Sequence, residues 1–228
     1  MLLDVLGRSL DITVYNEDHP SAFRAFRLRD QATCQKLIAG SYSKWVVFKP
    51  LLDSQLAPQL LSDYPHSRAI WIYRHYQDVA NSAVQLWGDW FQVAIRRLVT
   101  EPTWEYYLNE GLTPSLRQVV EDLYDEQISA HTASALFWYM RNALYFELCL
   151  DQYPSQIHLV RYEHLVSEPI REFGKLFAWL EISFRPSWVK GIFASSVAKQ
   201  PFPEIDRRVQ ELCEDLEARL DAALRREA

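Results

Sequence analysis

Apolar residues recur along this chain with two rhythms, one of short continuous runs and one of helical spacing. Residues 69–73 (AIWIY) form an unbroken apolar and aromatic run that predicts a buried strand, closed by Arg74. Residues 77–87 then carry Val79, Ala83 and Leu86 on one helical face, with Ser82 one turn past Asp78. Three further short runs predict strands: residues 11–15, residues 43–49 closed by Pro50, and residues 156–162. Helical spacing predicts two short helices within residues 21–39, with Arg24, Arg27 and Arg29 in the first, and another helix over 54–64. Residues 1–6 read as the tail of a helix capped by Gly7.

After Trp90 the strand rhythm stops. Residues 91–98 read as a helix, and Thr113 followed by Pro114 marks a helix start. A long aromatic-rich helix spans 129–150, with Phe137, Trp138, Tyr139, Tyr145 and Phe146. Helices follow over 169–180 and 207–226, the last with Val209, Leu212, Cys213, Leu216, Leu220 and Leu224 on one side. Strands alternating with helices predict an α/β fold: a mainly parallel sheet flanked by helices, interrupted by a helical insertion at 89–150. No repeat, linker or low-complexity tract breaks the sequence, which predicts one domain over 1–228. In such a sheet the strand ends would bring Glu17, Lys49, Arg74 and Tyr162 to one crevice.

Composition narrows the chemistry. With 228 residues, 49% hydrophobic and 24% charged, the chain can bury a sizeable core. A net charge of −6 argues against general binding to nucleic acid or an anionic membrane, while leaving room for a local basic pocket. The three cysteines, Cys34, Cys149 and Cys213, are widely spaced and suggest neither a disulfide framework nor a zinc site. The histidines show no metal-ligand pairing. No leader or membrane-length apolar run is visible, so the expected location is the cytoplasm.

The strand, Arg74, turn and helix form a unit suited to an anion. A helix N-terminus directs free N–H groups and positive potential outward, and a guanidinium adds a fork of donors matched to phosphate. Ser82 adds a hydroxyl. The competing reading is local: Arg74 simply pairs with Asp78. Glu17, likewise, could cap a helix or pair with Arg24, and Tyr162 could serve packing alone.

Three segments, VVFKPLLDS, AIWIYRHYQDVANSAV and IHLVRYEHLVSEP, resemble sulfotransferases that use 3′-phosphoadenosine 5′-phosphosulfate (PAPS). The resemblance runs to about residue 181 and implies a P-loop-type fold. It implies that Arg74 and Ser82 bind the donor's 3′-phosphate and that Tyr162 lies near its adenosine. Lys49 would offset charge on the transferring group or leaving phosphate, and Glu17 would be the general base. Relatives that use a histidine two residues after the lysine differ here, where the position is Leu51. Lys199, near Ser195 and Ser196, could belong to a late donor-binding loop or be a solvated lysine. The implied acceptor is a small molecule or carbohydrate offering a hydroxyl or amine, with the aromatics of 89–150 as pocket walls and no metal required.

The resemblance also implies a first strand and a loop that cradles the 5′-phosphosulfate. Neither Gly7-Arg8-Ser9 nor residues 40–44 stand between a strand and a helix, as that loop requires. The expectation is therefore an N-terminally truncated form of the fold, from either a start assigned too far downstream or a remnant with impaired activity. Two other readings stay open: a P-loop kinase-like phosphotransferase, which would need magnesium, and a catalytically inactive binding protein.

Overall fold

The computed structural model describes residues 1–101, 103, 108–194, 197 and 201–227. Lys199, Ser195 and Ser196 lie outside the described residues. The elements in order are α1 (Leu2–Leu6), β1 (Ile12–Tyr15), β2 (Phe23–Arg24), β3 (Arg27–Leu28), α2 (Gln31–Ala39), β4 (Trp45–Phe48), α3 (Ala57–Asp63), β5 (Ala69–Tyr73) and α4 (Tyr76–Trp87). Then come α5 (Trp90–Thr100), α6 (Pro114–Leu123), α7 (Ala130–Glu147), β6 (Ile157–Arg161), α8 (Tyr162–Ser167), α9 (Pro169–Trp179) and α10 (Arg207–Glu227). Chemistry of the predicted kind sets several boundaries. Thr113 and Ser129 accept from the backbone N–H groups of Leu116 and Thr132, capping α6 and α7.

The expected α/β architecture, a mainly parallel sheet flanked by helices, is overturned. Helix outweighs strand, 55% to 10%. The four predicted strands do form, but as two separate parallel pairs, β1 with β4 and β5 with β6. A short antiparallel hairpin, β2 with β3, is the third sheet. Among the described residues no strand joins the pairs. An apolar run specifies that a segment is extended; it does not specify its neighbours. The strands are four or five residues long where they pair, whereas α7 and α10 run to 18 and 21 residues.

The chain divides into two compact units, one of residues 1–54 and 168–192, the other of residues 55–167 and 193–228. In the first, Val5, Leu6, Ile12, Phe23, Phe173 and Phe177 are buried. Trp45 donates through its indole N–H to the Leu180 carbonyl at 2.8 Å, tying β4 to the end of α9. In the second, α7 packs against α4, α5 and α10, and α10 also lies on β6. Ten α7 residues are buried, Leu136, Trp138 and Leu144 among them. On α10 the buried positions are Val209, Cys213, Leu216, Leu220, Ala223 and, unexpectedly, Glu217.

The segment before α2 departs from the helical expectation. Arg24 and Arg27 lie in the β2–β3 hairpin, whose turn residues Ala25 and Phe26 have φ of 49° and 63°. Asp53, almost fully buried, accepts from the Leu28 N–H at 2.7 Å and pairs with the Arg27 guanidinium. A buried carboxylate with both partners holds a hairpin whose tip carries none of the usual turn residues.

Candidate functional site

The first candidate cluster stands in the smaller unit, at the carboxyl ends of β1 and β4. These strands pair in register up to Tyr15 and Phe48, and the Lys49 N–H extends the ladder to the Tyr15 carbonyl at 3.1 Å. The chain turns after β1, with the His19 N–H bonded to the Asn16 carbonyl at 2.9 Å. This turn returns Glu17 toward the end of β4, where Lys49 Nζ donates to Glu17 Oε1 at 2.6 Å. The carboxylate is the more sheltered member, 21% exposed against 43% for the lysine. Tyr15 and Phe48 stack at 5.3 Å beside this pair, and His19 meets Tyr15 edge-on at 4.9 Å. Leu51 is exposed. The structure thus brings Glu17 and Lys49 together as an ion pair.

The two short serine-bearing loops of this unit are engaged internally. The Ser9 hydroxyl accepts from the Asp11 N–H, and Arg8 donates to the Trp188 carbonyl. Ser41 and Ser43 share hydrogen bonds with Thr13, and Lys44 donates to the Glu181 carbonyl at 2.8 Å.

The second cluster stands in the larger unit. A cavity of about 320 Å³ is lined by residues of β5, α4 and α7 together with Arg74 and Tyr162, the residues that follow the paired strands β5 and β6. Arg74 Cζ lies 4.9 Å from the centre of the Tyr162 ring, and its guanidinium is 3.5 Å from Asp78 Oδ2. The Trp138 indole N–H donates to the Arg74 carbonyl at 2.8 Å, which fixes the backbone at the strand end. Arg74 therefore touches both Tyr162 and Asp78, the local carboxylate of the competing reading. Ser82 lies on α4, one turn past Asp78, and is not among the described residues lining the cavity. Tyr162 begins a helix, α8, that sequence spacing did not show.

Two backbone donors at the start of α4 have acceptors within the chain. The His75 N–H donates to Glu163 Oε1 at 3.0 Å, and the Gln77 N–H to His75 Nδ1 at 3.3 Å.

Sequence reasoning missed two polar residues of the cavity, Arg141 and Asn142, which it shares with Phe137 and Trp138. Their spacing, one helical turn from the two aromatics, was the available signal. It also missed an ionic cluster behind β5 and β6. Arg161 contacts Glu163, Glu217 and Asp221, and the Tyr73 hydroxyl donates to Asp221 Oδ1 at 2.6 Å. His75 Nε2 is 3.9 Å from Glu217. Burial, then the bond to Asp221, pushes the Tyr73 hydroxyl well above the usual tyrosine range. Burial likewise raises the Glu217 carboxyl and the Cys213 thiol. Among the described residues no group of three or more potential ligands could hold a metal ion, and no helix is long and apolar enough to cross a membrane.

No family model matches the chain, and no curated protein matches it. Among solved structures, a sulfotransferase domain from the curacin biosynthetic pathway is similar, with 16% identity and a TM-score of 0.45. The alignment covers 82% of this chain and spans 66% of that structure's length.

Proposed function

We propose that this chain is a sulfotransferase-like protein that takes PAPS as donor and passes its sulfuryl group to a hydroxyl or amine of a small molecule or carbohydrate. The observation that carries the reading is the meeting of Arg74 and Tyr162 on one cavity walled by Trp138 and Phe137. A guanidinium beside three aromatic rings fits a phosphate attached to a flat base. Arg74 would hold the 3′-phosphate, Tyr162 would face the adenosine, and Ser82 would add its hydroxyl from α4.

The Glu17–Lys49 pair supports the transfer step. PAPS supplies an activated sulfuryl group, and the chain's task is positioning and charge stabilisation. Glu17 would take the proton of the acceptor as the acceptor oxygen or nitrogen bonds to sulfur. Lys49 would offset the charge gathering on the 5′-phosphate oxygen, which keeps the electron pair when its bond to sulfur breaks. The products are a sulfated acceptor and adenosine 3′,5′-bisphosphate.

Isothermal titration with adenosine 3′,5′-bisphosphate tests the reading. The folded wild-type chain should bind it, and Arg74→Ala should weaken binding by about tenfold or more, as expected for loss of a hydrogen bond to a charged group. A folded wild-type chain that takes up none, or an affinity indifferent to Arg74, would count against it.

A further inference from the structure

The β5–β6 pair has an open edge. In a parallel ladder alternate residues of a strand bond to the neighbour, and the residues between them turn their N–H and C=O groups the other way. The Ala69 N–H donates to the Gln156 carbonyl at 2.7 Å, and Ala69 stands opposite Ile157 in the register. Ala69, Trp71 and Tyr73 therefore serve β6, and the backbone groups of Ile70 and Ile72 face away from it. Among the described residues no third strand joins this sheet, and no hydrogen-bond partner meets Ile70 or Ile72 on that side.

Burial agrees with this placement. β6 buries Ile157, Leu159 and Val160, whereas Ala69, Ile70 and Trp71 of β5 are only half-buried and Ile72 is 41% exposed. A run as apolar as residues 69–73 belongs in a strand covered by neighbours. None of the usual devices blunts its edge. The strand holds no charge, no proline and no glycine, and no bulge interrupts the register of the pair.

The form of the occupant follows from these groups. Donors and acceptors at every second residue are matched by another extended backbone. The uncharged run favours an uncharged apolar segment, rich in the β-branched residues that suit strands. A second copy of this chain fits poorly. Two β5 edges that meet antiparallel and use both isoleucines set Ile70 opposite Ile72. That register puts Arg68 opposite Arg74 at both ends, and like charges directly opposite are destabilising.

We propose that the open edge of β5 is a docking site for an extended, uncharged apolar segment of another polypeptide, which joins the sheet as a third strand beside β5. The proposal does not depend on the PAPS reading.

A synthetic peptide of alternating valine and threonine, with glutamates at both ends for solubility, is the probe. By isothermal titration it should bind the wild-type chain with a dissociation constant of about 100 μM or tighter. The same peptide N-methylated throughout keeps its side chains and charges but has no backbone donors, and it should bind at least about tenfold more weakly. Ile70→Pro removes a donor of the open edge and none of the ladder, so it should fold and weaken the peptide by about fivefold. Trp71→Pro, which breaks the ladder, should lower the urea midpoint further than Ile70→Pro does. Amide hydrogen exchange reads the edge without any variant and decides if Ile70→Pro does not fold. In the free chain the Ile70 and Ile72 amides should exchange faster than those of Trp71 and Tyr73, and saturating peptide should slow them by about tenfold or more. No binding, equal binding of the N-methylated peptide, or Ile70 and Ile72 amides as protected in the free chain as their neighbours would each overturn the proposal. Dimerisation of the chain that excludes the peptide would assign the edge to a second copy and overturn it as well.

Discussion

Arg74 makes one contact within its own segment and one across the strand pair. It sits 3.5 Å from Asp78, one turn along α4, and over the Tyr162 ring contributed by the end of the other strand. The first contact is local and could be foreseen from a spacing of four; the second depends on β5 pairing with β6. Glu17 and Lys49 were likewise suggested by the ends of two strands and by the resemblance, and those strands do pair. If Glu17 takes the acceptor's proton, Glu17→Gln should lower sulfuryl transfer by about 10²- to 10⁴-fold. Titration of adenosine 3′,5′-bisphosphate should be unchanged in the same variant; a variant with full turnover removes Glu17 from the chemistry. Glu217 was not legible at all, because its partners Arg161 and His75 come from far along the chain. Burial raises its carboxyl above the ordinary value of 4.5, with Asp221 and Glu163 adding to the rise and His75 and Arg161 opposing it. The folded chain therefore holds this proton in a range where the unfolded chain has released it. Glu217's contribution to stability is full below about pH 4.5 and is lost as pH rises through the raised value. Glu217→Gln keeps an acceptor for Arg161 and cannot ionise. The urea midpoint of wild type relative to this variant should accordingly fall as pH rises above about 4.5; a constant difference would contradict the sign.

Elements were legible where their rhythm is local. β5, α4 and α9 form within a residue or two of the places that apolar spacing and capping residues indicate, while α7 ends at Glu147, three residues before the expected end at 150. The β2–β3 hairpin was not legible, because its turn uses Ala25 and Phe26 at positive φ rather than glycine or asparagine, and its anchor is the distant Asp53. Tyr162 was expected at a strand end and instead opens α8. Gly111 is the element-scale test. An alanine there meets a strained φ and a close Gln55 Cβ together. Gly111→Ala should destabilise the chain by about 1–3 kcal/mol, read as a lower urea midpoint. A neutral result would mean that the 110–111 backbone relaxes away from Gln55.

At the scale of the whole molecule, two cores of unequal depth replace the expected single sheet. In the smaller unit, β4 has only half-buried residues and β1 only Ile12 buried. In the larger, β6 buries Ile157, Leu159 and Val160, and α7 is buried along most of its length. Amide hydrogen exchange should therefore be slowest in α7 and β6 and faster in the β1–β4 pair, since deeply buried ladders open only with larger unfolding events. Comparable protection of the two strand pairs would show that they unfold as one. The net charge of −6 belongs to this scale too: the anion binding proposed above would act against the charge of the chain as a whole.

The sequence by itself determined the four longer strands and most of the helices, where several helices begin, and that Glu17, Lys49, Arg74 and Tyr162 follow strand ends. These depend on spacing and caps within a few residues, forces that act along the chain. Only the tertiary structure decided which strand pairs with which, that four strands make two pairs rather than one sheet, and that Arg141 joins Gln55 while Glu217 joins Arg161. Those outcomes rest on contacts between residues far apart in sequence, where many alternative pairings share the same local pattern and burial of the whole selects among them.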